Sequence, residues 1–240
     1  MIDLRPTESQ ILPQIGSRMR KNWFVVRQRK EADQIMVMAP KSEHCLIPLT
    51  PPFRKALDGL FLLLHHPFVL PISHVDLLKE QNNVVMMQQL SAKGSLKDKI
   101  YKANPIMPWR KKYMTTGRPL PMDKIVLYGR QILEGMLFLK KKQIPYRNLH
   151  SGNVILDGDR CRITGFENPL LGYTPKLIHR AGKALGPKDK DPLGNSFDIV
   201  CFGHLLFEMA LGYELTKTRS DGYTYSSDTF LFAYLYLFIL

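Results

Sequence analysis

The sequence predicts an α+β fold in two lobes, a small β-rich lobe followed by a mainly helical large lobe that is truncated. Three observations predict it. Short β-type runs flank a single helical stretch before residue 90, long apolar helical stretches dominate after it, and a hairpin signal sits between two of those helices. With 240 residues, 45% of them hydrophobic, the chain has enough apolar material for a sizeable core. A charged fraction of 23% and well-spread aromatics place it outside the disordered class.

Residues 1–20 carry little pattern and read as a poorly ordered lead-in. The small lobe is assigned to 21–90. Trp23-Phe24-Val25-Val26 and Gln34–Met38 are expected strands, separated by a charged turn, and Cys45–Leu49 is a third, ended by Pro51-Pro52. Phe53 to His65 has apolar residues at 53, 56, 57, 60, 61, 63 and 64, a helical spacing that stops at His66-Pro67. Val75–Leu78 and Val84–Met87 follow as strands, with Gln81-Asn82-Asn83 turning between them. Gln88–Gly94 forms the connection to the large lobe, assigned to 91–220, and Ser95 is placed to cap a helix over Ser95–Ile100. Asn104–Pro121, with its prolines and basic residues, reads as a surface insertion.

Asp123–Lys142 is the clearest helix, with a broad apolar face and a basic end that complements the helix dipole. Val154–Leu156 and Cys161–Ile163 make a hairpin around Asp157-Gly158, whose carboxylates (Asp157, Asp159) suit a turn better than a metal site. Residues 165–196 are rich in Gly, Pro and Lys and lack periodicity, and Asp198–Met209 is an apolar helix. Residues 221–240 form an apolar tail. Its end, Phe230–Leu240, is too short to cross a bilayer; it reads as a core element, an interfacial anchor, or the end of a truncated or alternatively spliced product.

Charge and cysteine content narrow the function classes. The net charge is +13, with clusters at Arg110-Lys111-Lys112 and Lys140-Lys141-Lys142 and scattered basic residues from Arg18 to Lys30. No nucleic-acid-binding motif accompanies them, so solvated faces and loops are the expectation, with contact to an anionic membrane surface as the alternative. Cys45, Cys161 and Cys201 are odd in number and in no metal spacing, which fits reduced thiols, and Met1–Pro6 lacks the apolar core of a signal peptide. A cytoplasmic location, with or without membrane association, is the expectation.

The chemistry-bearing stretch is Tyr146-Arg147-Asn148-Leu149-His150-Ser151-Gly152-Asn153, followed after the hairpin by Gly165-Phe166-Glu167. In spacing it resembles the protein-kinase catalytic loop, H-R-D-L-x-x-x-N, and the D-F-G metal motif. The helix beginning at Asp198, with Gly203 within it, resembles the D-x-W-S-x-G helix that supports that loop. The matches run in order over roughly residues 60 to 212.

Against this frame the departures are consistent. Phosphoryl transfer needs held phosphates, magnesium and a carboxylate to take the hydroxyl proton. Asn148 stands where the base belongs and has no proton-accepting carboxylate. Gly165 stands at the principal metal position. Only Gly16 is available where a glycine-rich loop is expected, no lysine lies in Cys45–Leu49 where the strand lysine would fall, Lys41 is on the wrong side of the strand pattern, and Asp58 is the only acid in the Phe53–His65 helix. Asn153 matches the second metal ligand, and Glu167 is a conceivable substitute metal ligand. Arg147 matches the arginine that meets a phosphorylated activation segment, Tyr146 replaces the loop histidine, and His150 replaces the loop lysine and is best read as making a structural hydrogen bond. The chain is thus identified as a pseudokinase.

The runs Leu149–Asp159 and Cys201–Met209 resemble the slowpoke-binding protein and PX-domain-containing kinase-like group. That resemblance implies a kinase-like scaffold or regulator of a membrane channel or transporter, a potassium channel in one relative and the sodium pump in another, with protein partners that include 14-3-3-type adaptors. It implies no required cofactor. The alternatives are a weak or atypical kinase that binds ATP and magnesium through Asn153 and Glu167, and a non-functional or regulatory short isoform. Nucleic-acid binding is disfavoured.

Overall fold

The computed structural model describes residues 9–12, 21–26, 34–40, 42–45, 50–78, 82–91, 93–105, 107, 109–173 and 195–214. Its small lobe is a five-stranded antiparallel sheet of β1 (Ser9–Leu12), β2 (Asn22–Val26), β3 (Gln34–Pro40), β4 (Ile72–Leu78) and β5 (Asn83–Gln89), in the order β1-β2-β3-β5-β4. Val37 pairs with Trp23 on one side and Met86 on the other, so alternate residues of the central strands turn onto the same face. The β4–β5 turn is made possible by Asn82, whose φ of 49° is left-handed. Helix α1 (Pro51–Leu63) packs on β4 and buries Leu57 and Phe61.

Three expectations for this lobe need correction. Ser9–Leu12, assigned to a patternless lead-in, is an edge strand paired with β2; four residues carry too little alternation to announce a strand, and the pairing supplies what the pattern lacks. Cys45 lies in no strand, and 46–49 fall outside the described residues; the strand that packs on β5 is β3. Helix α1 begins at Pro51 rather than ending a strand there, because proline suits the first helical position, where no N–H is required.

The large lobe comprises α2 (Leu96–Tyr101), α3 (Trp109–Lys112), α4 (Met122–Lys141), the hairpin β6 (Val154–Asp157) and β7 (Arg160–Ile163), and α5 (Asn195–Leu211). Ser95 caps α2 in a reciprocal box. Its hydroxyl accepts from the Asp98 N–H (3.2 Å), and its own N–H donates to the Asp98 carboxylate (2.9 Å). Gly158, at φ 64°, turns the hairpin at the expected place.

The segment read as a surface insertion is built into the lobe instead. Lys112, counted among the solvated basic residues, is buried and paired with Asp98 at 3.0 Å, while Lys140–Lys142 are exposed as expected. Arg118 N donates to the Ile100 carbonyl and Leu120 N to that of Met209, both at 2.8 Å. The approach depends on two glycines, since a Cβ at Gly117 would lie 2.3 Å from the Gly212 carbonyl.

One apolar core runs through both lobes, from Val37, Phe61 and Met86 through Tyr128 and Ile132 to Leu205 and Met209. Phe166 stands at the junction, its ring edge-on to Phe61 at 5.9 Å. No disulfide joins the three cysteines, and burial pushes the Cys161 thiol up to about 12. No helix among the described residues is long and apolar enough to cross a membrane. The tail, 221–240, and most of the activation segment, 174–194, lie outside the described residues.

Candidate functional site

The catalytic-loop stretch runs from the end of α4 into β6, with Arg147 at φ 47° and a single 3-10 turn over Ser151–Asn153. The hairpin returns the chain so that Thr164-Gly165-Phe166-Glu167 lies against it. Tyr146 is fully buried and its hydroxyl donates to the Thr164 carbonyl at 3.0 Å. Burial first, then the charges of Asp198 and Glu167, holds that phenol well above its ordinary pKa, so it serves as a neutral donor. Asp198, near the start of α5, is itself buried. Gly203 sits half-buried in the middle of α5.

Three asparagine amides bond around the places where the carboxylates of a kinase would stand. Asn148 Nδ2 donates to the Gly165 carbonyl (3.2 Å), Asn168 Nδ2 donates to the same oxygen (2.7 Å), and Asn153 Nδ2 donates to the Asn148 carbonyl (3.0 Å). These three amides converge on the place an Asp side chain at 165 would enter. Gly165 has φ 84°, and a Cβ there would lie 2.5 Å from Asn148 Nδ2 and 3.0 Å from those of Asn153 and Asn168. The backbone conformation favours glycine and the space is taken. His150 Nδ1 accepts from the Gly152 N–H at 3.2 Å, a structural bond that stiffens the turn.

A lysine does enter the cleft, from a position that sequence spacing does not mark. Lys21, immediately before β2, extends its ammonium to Glu167 Oε1 (3.2 Å) and Asn168 Oδ1 (2.6 Å), and lies 5.6 Å from the centre of the Tyr173 ring. Both charged side chains are buried, 5% and 4% exposed. Glu167, considered as a metal ligand, is ion-paired with Lys21, and its second oxygen, Oε2, is buried with no hydrogen-bond partner among the described residues, as is Asn148 Oδ1. Lys41 lies outside the described residues. Asp58 does not face the cleft lysine; it accepts from the Val75 N–H at 3.3 Å and ties α1 to β4.

Gln88, at the end of β5, closes the back of the cleft by bonding the Thr164 hydroxyl through both ends of its amide, at 3.0 and 3.2 Å. Among the described residues, Lys21, Trp23, Met86, Gln88, Asn153 and Glu167 line a space of ≈ 20 Å³. That admits about one water molecule, whereas pockets that enclose small molecules measure about 300–1,000 Å³. Among the described residues no group of three or more His, Cys, Asp and Glu side chains is gathered for a metal ion. Tyr146, Asn148, Asn153, Gly165 and Glu167 lie together in the structure, joined by Lys21, Gln88 and Asn168, which the spacing of the motifs does not mark. Lys21 looked like one of several scattered basic residues, and its only marker is its position one residue before a strand.

Comparison with known proteins gives a consistent result. A family profile described as protein tyrosine and serine/threonine kinase matches residues 52–167. The chain is 39% identical over 216 residues to the slowpoke-binding protein of Drosophila melanogaster, covering 87% of this chain and 41% of the relative. It is 36% identical over 222 residues to the probable inactive serine/threonine-protein kinase slob2 of Dictyostelium discoideum, covering 87% of this chain and 36% of that relative. To the PX domain-containing protein kinase-like protein of Mus musculus it is 32% identical over 237 residues, covering 93% and 38%. The chain spans about two-fifths of the length of these relatives.

Proposed function

Because this chain belongs to the protein kinase-like superfamily, in the pseudokinase group that includes the slowpoke-binding and PX domain-containing kinase-like proteins, we propose that it works without phosphoryl transfer, as a scaffold or regulator of a membrane channel or transporter through protein–protein contacts. The observation that carries this reading is the amide cluster around Gly165. A kinase needs a carboxylate there for magnesium and another in the catalytic loop for the hydroxyl proton. Here a glycine at positive φ and three asparagine amides fill the space. Three features support a reading without ATP and magnesium: Glu167 is ion-paired with Lys21, the Asn153 amide is turned into its own loop, and the space between them is ≈ 20 Å³.

Protein partners are supported by the printed name of one relative, a slowpoke-binding protein, and by an open surface on this chain. Lys93, Lys99 and Lys102 outnumber Asp98 and Asp159 around a concavity of ≈ 510 Å³ that Leu156 and Ala103 also line, an excess of cations that favours an acidic segment of a partner. A 14-3-3-type adaptor, contact with a membrane surface and a cytoplasmic location belong to the same proposal.

Application of the purified chain to excised membrane patches carrying a slowpoke-type potassium channel tests the reading. The expected result is a shift in channel gating that persists when ATP is omitted. No shift, or one that requires hydrolysable ATP, overturns it.

A further inference from the structure

The geometry points to a latch between the lobes: Glu167 acts as a built-in anion on Lys21, taking the place of any external anionic ligand and holding the cleft shut without one. Lys21 belongs to the small lobe, leading into β2, and Glu167 and Asn168 belong to the large lobe, 146 and 147 residues later. The ammonium meets two oxygens, and the Tyr173 ring centre lies 5.6 Å away.

The latch is wider than this pair. Residues 168–173 fold into a tight turn, with Leu171 N donating to the Glu167 carbonyl (3.0 Å) and Tyr173 N to that of Asn168 (2.9 Å). This turn is pressed onto the small-lobe segment that follows β3. The Ser42 hydroxyl donates to the Gly172 carbonyl (2.8 Å), and the Tyr173 hydroxyl donates to the Pro40 carbonyl (2.8 Å). Gly172, at φ 75°, permits the approach, because a Cβ there would lie 2.3 Å from the His44 carbonyl carbon.

The pair also carries a reason to be releasable. Glu167 Oε2 is buried and has no hydrogen-bond partner among the described residues, so Lys21 holds the carboxylate by one oxygen only. A buried ion pair of this kind fixes geometry more than it adds stability. Loss of either charge should free the 168–173 turn from the small lobe while leaving the sheet intact. The latch is independent of which partner the domain binds, which the channel experiment reads separately.

Hydrogen exchange of wild type, Lys21→Met, Glu167→Gln and the double variant tests it, with the Leu171 and Tyr173 amides as reporters and the β5 amides Val85–Met87 as the internal control. We expect each single variant to raise exchange at the reporters by about tenfold with β5 unchanged, and the double variant to add nothing further. Thermal unfolding with inorganic tripolyphosphate is the second arm. Glu167→Gln, which leaves Lys21 without its anion, should be stabilised by the polyanion more than wild type, with which it shares the exposed lysines. Unchanged reporters, equal loss of protection in β5, additive effects in the double variant, or equal stabilisation of wild type by tripolyphosphate would each overturn the latch.

Discussion

Gly165 illustrates how one position excludes a chemistry. At φ 84°, with three amide nitrogens 2.5 to 3.0 Å from where a Cβ would stand, it cannot accept the aspartate of an active kinase without moving Asn148. Gly165→Asp should therefore lower stability by about 1–3 kcal/mol, seen as a fall in the thermal midpoint, and the double reversion Asn148→Asp with Gly165→Asp should yield no phosphate transfer in a radiolabelled-ATP assay. His66 makes a second residue-scale prediction. Its Nδ1 accepts from the Phe68 N–H (3.2 Å) and its ring stacks on Phe138 at 4.7 Å, so it is held neutral. Burial lowers its pKa from 6.5, with Glu134 opposing in part. The unfolded chain then takes up the proton first as pH falls. The contribution is present above pH 6.5 and is lost as pH drops through the lower folded value. The urea midpoint should fall between about pH 7.5 and about pH 5.5, and His66→Gln should shrink that fall.

At the scale of elements, Asp98 organises the start of the large lobe. Its carboxylate accepts from the Ser95 N–H (2.9 Å), from buried Lys112 (3.0 Å) and from the Tyr113 hydroxyl (2.7 Å), joining the cap of α2 to α3. Ser95→Ala removes the two bonds of its hydroxyl, from the Asp98 N–H and to the Asp98 carboxylate, and should cost about 1 kcal/mol. Asp98→Ala also strands the buried Lys112 charge and should cost about 3–5 kcal/mol; chemical denaturation separates the two. The cap at Ser95 was legible in advance because a capping signal is local. The burial of Lys112 was not, since a run of three basic residues gives no sign that one of them faces a carboxylate fourteen residues earlier. Likewise Pro51-Pro52 marks a boundary without telling whether an element ends or begins there, and only the turn geometry of α1 decides.

For the whole molecule, the two lobes share one core, and Phe61 against Phe166 is a central contact of their junction. Phe61→Ala should cost about 3–5 kcal/mol and loosen both lobes together, visible as a single shifted transition rather than two. The order of elements and the loop residues Tyr146 to Glu167 could be read from the chain because each depends on periodicity or on spacing over a few residues. Lys21 could not, because it meets Glu167 only after both lobes have folded, 146 residues apart in sequence. We propose that this cleft, closed by its own side chains, takes up no nucleotide. Thermal unfolding with millimolar ATP and magnesium, beside magnesium alone, tests it most directly. A nucleotide present at a hundred times its Kd would add about 2.7 kcal/mol to stability. We predict coincident transitions in the two conditions; an ATP-dependent rise in the midpoint of the wild-type chain would contradict the account.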